Sequence, residues 1–251
     1  MAEAVEAPLT GRRALVTGGS RGIGADIVRR LTADGAKVAF TYSASAAEAE
    51  KLVAEVSAAD TNAVAILADA ADPRQVASAV EQAVAALGGL DILVNNAGTA
   101  YVAPIGEFPQ EQFDRLVAVN IGGVYAAIRN AVGHLGDGSR IINIGSINAD
   151  RVPEAGLSIY AMTKGAVASL TRGLARELGP RGITVNNVQP GPIDTDMNPA
   201  EGESADQRKQ VGALGRYGHT RDVAAIVSFL AGPESAYVTG ANWNVDGGYT
   251  V

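Results

Sequence analysis

Short apolar runs alternate with longer stretches of helical period along this chain. Arg13-Ala-Leu-Val-Thr17 reads as a strand, and Ala25 to Ala33 as the helix that follows it. A strand over Lys37 to Tyr42 leads to a helix over Ala44 to Ala59, whose Ala46, Ala49, Val53 and Val56 share a buried face. A third strand runs from Asn62 to Ala68, with a helix from about Pro73. A fourth spans Leu90 to Val94, before one long helical pattern from Glu111 to Ile128. Arg140-Ile-Ile-Asn-Ile144 is a fifth, buried strand, and Gly182 to Gln189 a sixth. Between them a helix starting beyond Pro153 and Gly156 sets Ala161, Ala168, Leu170, Leu174 and Leu178 largely on one side. Thr220 to Ala231 is one more helix. Six strands alternating with helices predict an α/β fold, a parallel doubly wound sheet with a seventh strand closing one edge. Residues 1–9 read as a loose leader and 10–251 as one domain.

Two stretches carry chemistry. In the first, Gly18-Gly-Ser-Arg-Gly-Ile-Gly24 turns the chain from strand into helix. Its glycines allow close backbone approach to a pyrophosphate, and the helix N-terminus offers free N–H groups. Gly18, Ser20, Arg21, Gly22, Ile23 and Gly24 are therefore candidate nucleotide contacts. The end of the second strand, where a carboxylate would bond a ribose 2′-hydroxyl, holds Tyr42, Ser43 and Ser45 and no acid. With Arg21 facing the same place, these hydroxyls suit a 2′-phosphate and predict NADP(H) over NAD(H). The second stretch is Ser146 to Lys164. Tyr160 and Lys164 are i,i+4 neighbours on their helix, and Ser146 leaves the fifth strand opposite them. A hydroxyl, a phenol and an ammonium in one small volume suit proton transfer with a substrate oxygen. An ammonium beside a phenol is expected to lower its pKa from about 10.

Ser146 followed by Tyr160-Ala-Met-Thr-Lys164, together with Thr17-Gly-x-x-x-Gly-x-Gly24, resembles the short-chain dehydrogenase/reductase family. The resemblance runs from about residue 10 to the C-terminus and implies a Rossmann-type domain with a sheet of about seven strands. It implies that Asp69, with Ala70 beside it, meets the adenine edge, although Asp69 could equally cap the helix near Pro73. Asn95-Asn96-Ala97-Gly98 is similar to the family tetrapeptide that holds the central sheet against the cofactor ribose. Asn120, in mid-helix, would hold a water that passes protons to Lys164, or simply kink the helix. Pro190, Gly191, Ile193 and Thr195 match the family segment that meets the nicotinamide carboxamide. The polar residues 196–216 suit a substrate lid. In the reaction so implied, a ketone or 3-oxo compound is reduced with NADPH while Tyr160 gives its proton and Ser146 holds the oxygen.

Composition narrows the alternatives. A net charge of -7 argues against a nucleic-acid surface, and Cys 0 removes thiolate chemistry and suits a reducing cytoplasm. Two histidines without cysteine make a transition-metal site improbable, and His134 and His219 read as surface residues. There is no run long enough for a membrane helix. Trp243 and Tyr249 read as packing or interface residues. A 3-oxoacyl-acyl-carrier-protein reductase is the nearest competing enzyme, with Arg140 and Arg181 as its possible carrier contacts. Asp137 stands where that group often has bases, so a carrier partner is doubtful. A non-catalytic dinucleotide-binding regulator is a further alternative, opposed by the intact Asn120, Ser146, Tyr160 and Lys164. Small residues Gly165, Ala168 and Ser169 suit close packing between subunits of the homotetramer that the resemblance implies.

Overall fold

The structure, a computed structural model, describes residues 7–57 and 63–251. Seven parallel strands form one sheet: β1 (Arg13–Val16), β2 (Lys37–Tyr42), β3 (Val64–Leu67), β4 (Leu90–Asn95), β5 (Leu135–Ile144), β6 (Thr184–Pro190) and β7 (Asn242–Val245), in the order β3-β2-β1-β4-β5-β6-β7. Strand residues alternate between two cores because successive side chains point to opposite faces. Ala14 and Val16, Val38 and Phe40, and Ile92 and Val94 enter one core with α1 (Gly22–Ala33) and α8 (Thr220–Ala231). Leu15, Ala39, Leu93 and Ile141 enter the other, under α3 (Pro73–Leu87), α5 (Val124–Ala131) and α6 (Ser158–Leu178). Each wholly buried Leu or Ile among them stabilises the sheet by roughly 2 kcal/mol. Among the described residues no helix is long and apolar enough to cross a membrane, and no group of three metal-ligating side chains gathers.

Several boundaries differ from the expected ones. Residues 1–6 of the leader lie outside the described residues. The rest of it is docked: Leu9 is wholly buried, and its N–H donates to the Asp34 carbonyl at 2.8 Å. The expected start of the third strand at Asn62 and the last two residues of the second helix also fall outside; α2 is described over Ala46–Ser57. Gly138, with φ +76, lets β5 begin five residues earlier than its apolar run. The long helical pattern is not one α-helix. It divides into α4 (Gln110–Val117) and α5 around a π-helical turn, Ala118–Gly123, with Asn120 at its centre. A π turn inserts one residue into the ladder, a feature concentrated at functional sites.

Candidate active site

Strand order reverses between β1 and β4, and in sheets of this kind ligands bind beyond the strand C-termini at that point. The local sequence builds the crevice. Thr17 Oγ1 accepts from the N–H groups of Asn96 and Ala97, at 3.0 and 3.1 Å. The Asn96 amide donates to the carbonyls of Thr17 and Gly18, at 3.1 and 2.8 Å. Thr41 Oγ1 accepts from Gly18 N at 2.9 Å. The close packing leaves no room for a side chain at two of the glycines: a Cβ on Gly24 would lie 2.2 Å from the Gly18 carbonyl oxygen, and one on Gly18 2.9 Å from Ala97 Cα. Gly18 and Gly22 also hold φ of +64 and +54, values that glycine adopts without a steric cost.

The crevice is a cleft of about 440 Å³, within the range of cofactor sites. Gly18, Ser20, Arg21, Gly22, Ile23 and Gly24 line it, as do Tyr42, Ser43 and Ser45 at the end of β2. Asp69, Ala70, Asn96, Ala97, Gly98, Pro190, Gly191, Ile193 and Thr195 complete the set expected from the sequence, together with Ser146, Tyr160 and Lys164. Asn120 is not in the wall. Arg21 precedes α1, is exposed, and has no carboxylate partner among the described residues. A glycine cradle at a helix N-terminus, hydroxyls at the end of β2 and an uncommitted guanidinium fit a dinucleotide carrying a 2′-phosphate.

At the other end of the cleft, Ser146 caps a short 3₁₀ turn (Ile147–Ala149), its Oγ accepting from Asn148 N at 3.1 Å. Its hydroxyl shares this end of the cleft with the Tyr160 phenol. Lys164 is buried; its Nζ lies 5.7 Å from the Tyr160 ring centroid and donates to the Ile144 carbonyl at 2.9 Å. Burial pushes this ammonium down to about 8. The expectation of a phenol made more acidic is corrected here. Tyr160 stands above its ordinary pKa, because loss of solvent outweighs the Ser146 hydroxyl that pulls it down. A group so protected keeps its proton at neutral pH, which suits a proton donor.

Asn120 is buried, and both ends of its side-chain amide are hydrogen-bonded. Its Oδ1 accepts from Thr99 N at 2.9 Å; its Nδ2 donates to the Thr99 carbonyl at 2.9 Å and to Thr163 Oγ1 at 3.0 Å. Thr163 in turn donates to the Tyr160 carbonyl at 2.7 Å. The amide therefore positions the Tyr160 turn of α6. Asp69 does not cap α3; Asp72 does, accepting from Arg74 N at 2.9 Å. Asp69 instead pairs with Arg115. Nothing in the sequence singles out Thr99, Thr163 or Arg115, whereas Thr17 opens the glycine motif and Thr41 stands near the end of the second strand. The two strand-end threonines carry the one usable signal, a hydroxyl beside a glycine turn.

Other expected contacts are redirected. Arg140 is buried within β5, donating to the Gly138 carbonyl at 2.7 Å. Arg181 donates to the carbonyls of Val132 and Leu135 and pairs with Asp137. Ala168 is buried within its own fold, whereas Gly165 is half-buried and Ser169 exposed. His134 pairs with Glu81 at 2.9 Å, and His219 is the N-cap of α8; both lie outside the cleft. Trp243 meets Phe229 edge to face at 5.9 Å, and Tyr249 is buried.

Comparison with known proteins gives whole-chain matches. A family model described as Enoyl-(Acyl carrier protein) reductase matches residues 18–250. A short-chain dehydrogenase/reductase from Serratia marcescens is 53% identical, with a TM-score of 0.96 over 97% of this chain and 100% of that one. A Burkholderia cenocepacia short chain dehydrogenase, solved in complex with NADP, is 50% identical with the same TM-score and coverage. The Escherichia coli cyclic-di-GMP-binding biofilm dispersal mediator protein is 46% identical over 240 residues, 96% of this chain and 98% of that protein.

Proposed function

The chain belongs to the short-chain dehydrogenase/reductase family, an NAD(P)-dependent oxidoreductase, and on that footing we propose that it reduces a ketone or 3-oxo compound to a secondary alcohol with NADPH. The observation that carries this reading is the meeting of Ser146, Tyr160 and Lys164 at one end of a cleft whose other end is a glycine cradle. When bound, the dinucleotide supplies the hydride. The protein's part is orientation and proton transfer. Tyr160, held protonated by its burial, gives its proton to the substrate oxygen, which the Ser146 hydroxyl keeps in line. Lys164, fixed by the Ile144 carbonyl, bonds the nicotinamide ribose and stabilises the phenolate left behind. Proton re-supply involves the Asn120 turn, through its backbone rather than its engaged amide. Arg21 and Ser43 favour the 2′-phosphate, and the Burkholderia relative's complex with NADP supports the same preference.

A free ketone fits better than a carrier-bound thioester, because Arg140 and Arg181 are committed to carbonyl groups of their own chain. Residues 196–216 serve as the substrate lid. Within them α7 (Glu203–Val211) is tied down by Arg208, which pairs with Glu154 at 2.7 Å and donates to Asn198 at 3.0 Å. The protein acts in the cytoplasm as a homotetramer. A second reading, a cyclic-dinucleotide binder without turnover, is favoured by the name of the E. coli relative alone.

Assay of a ketone panel by loss of NADPH absorbance tests both readings. Tyr160→Phe is expected to lower kcat by about 10²–10⁴-fold while leaving NADPH binding intact. Undiminished turnover in that variant refutes Tyr160 as the acid. NADPH bound but no ketone consumed by the wild type favours the binder.

A further inference from the structure

Arg115, on α4, lines the cleft wall and reaches across it to a carboxylate. Its guanidinium makes two parallel bonds with Asp69, Nη1 to Oδ2 at 2.9 Å and Nη2 to Oδ1 at 3.0 Å. Asp69 Oδ1 also accepts from Ala71 N at 3.0 Å. A carboxylate oxygen offers two lone pairs, so Oδ1 is saturated while Oδ2 keeps one pair free. The pair is half-exposed, and its two-point fork holds the carboxylate plane in one orientation. Both residues line the end of the cleft beyond β3, the outermost strand, with the apolar Ala70 and Val119 beside them. Ser146 and Tyr160 stand at the other end, beyond β5. With hydride transfer at Tyr160, a dinucleotide lying along the cleft brings its adenine to Asp69.

We propose that Arg115 is a positioning residue for adenine recognition: its planar fork fixes the Asp69 carboxylate so that the remaining Oδ2 lone pair accepts from the 6-amino group. The inference rests on the NADPH reading. Arginine suits the task and lysine does not, since only a guanidinium holds both carboxylate oxygens at once. Adenine's exocyclic amine is a donor. Hypoxanthine has a carbonyl oxygen there, which would face the carboxylate as acceptor against acceptor.

The test is a fluorescence titration of substrate-free protein with NADPH and with its deamino analogue, in which hypoxanthine replaces adenine. The wild type is expected to bind NADPH roughly 10- to 100-fold more tightly than the analogue. Asp69→Ala sets the floor of that ratio, and both Arg115→Ala and Arg115→Lys should fall to it. Arg115→Lys keeps the charge, so its overall affinity for NADPH should drop less. Should both cofactors weaken together with the ratio unchanged, Arg115 acts only as a charge and the proposal is wrong. Equal affinities in the wild type also overturn it. No NADPH binding by the wild type would instead remove the cofactor reading on which it rests.

Discussion

Replacing Lys164 by methionine should make the nucleotide-free protein more stable while destroying its activity. Holding a lysine at about 8 instead of 10.5 costs the folded chain about 3 kcal/mol at neutral pH, at 1.36 kcal/mol per pKa unit. Methionine removes that cost and keeps an unbranched stem of similar length. It also removes the donor to the Ile144 carbonyl, and a buried acceptor left without a partner costs about 1–2 kcal/mol. The balance is a gain of about 1–2 kcal/mol, or a few degrees in Tm for a chain of this size. The pH dependence identifies the cause. Between about 8 and 10.5 the unfolded chain binds more protons at this lysine than the folded one, so wild-type stability rises with pH there. The advantage of Lys164→Met should therefore be full at pH 7, shrink above pH 8 and vanish or reverse by pH 10. Urea unfolding of both proteins at matched protomer concentration across that range measures it. A variant less stable at pH 7, or an advantage independent of pH, refutes the reasoning.

Two further changes probe the nucleotide end. Arg21→Ala should raise the Kd for NADPH about tenfold, the lower range of a charge-assisted bond, and leave that for NADH unchanged; an equal effect on both would mean that Arg21 does not meet the 2′-phosphate. Gly24→Ala places a Cβ 2.2 Å from the Gly18 carbonyl oxygen, so the turn must shift. NADPH binding measured by fluorescence should fall at least tenfold, beyond the ~1 kcal/mol gained from alanine's helix propensity; unaltered affinity would show that the turn does not cradle the phosphates.

What could be read in the sequence is what neighbours along the chain determine. The glycine turn lies within seven residues, and Tyr160 and Lys164 are one helical turn apart, so strand and helix periods alone bring them to the cleft. The alternation of Ala14, Leu15 and Val16 between two cores follows from the same rule. Pairings between distant segments leave no such trace: Arg115 meets Asp69 46 positions away along the chain, and nothing local marks the two as partners. A periodic apolar pattern also tolerates one inserted residue, which is why the π turn at Asn120 passes for continuous helix. Arg140 looks like a surface charge until β5 proves five residues longer and covered on both faces.

The phenol is the instructive case. Spacing places an ammonium near Tyr160 and predicts a lowered pKa, but spacing does not say how much water either group keeps. Here Lys164 turns its donor to Ile144 and has its pKa lowered by burial to about 8, while desolvation raises Tyr160. A protonated phenol and a buried ammonium whose charge costs the fold stability are both favoured by the same arrival, an anionic dinucleotide filling the cleft. Charge placement at this site is thus a property of the protein with its cofactor, and the cost carried by Lys164 alone is the stability given up to hold that charge in readiness.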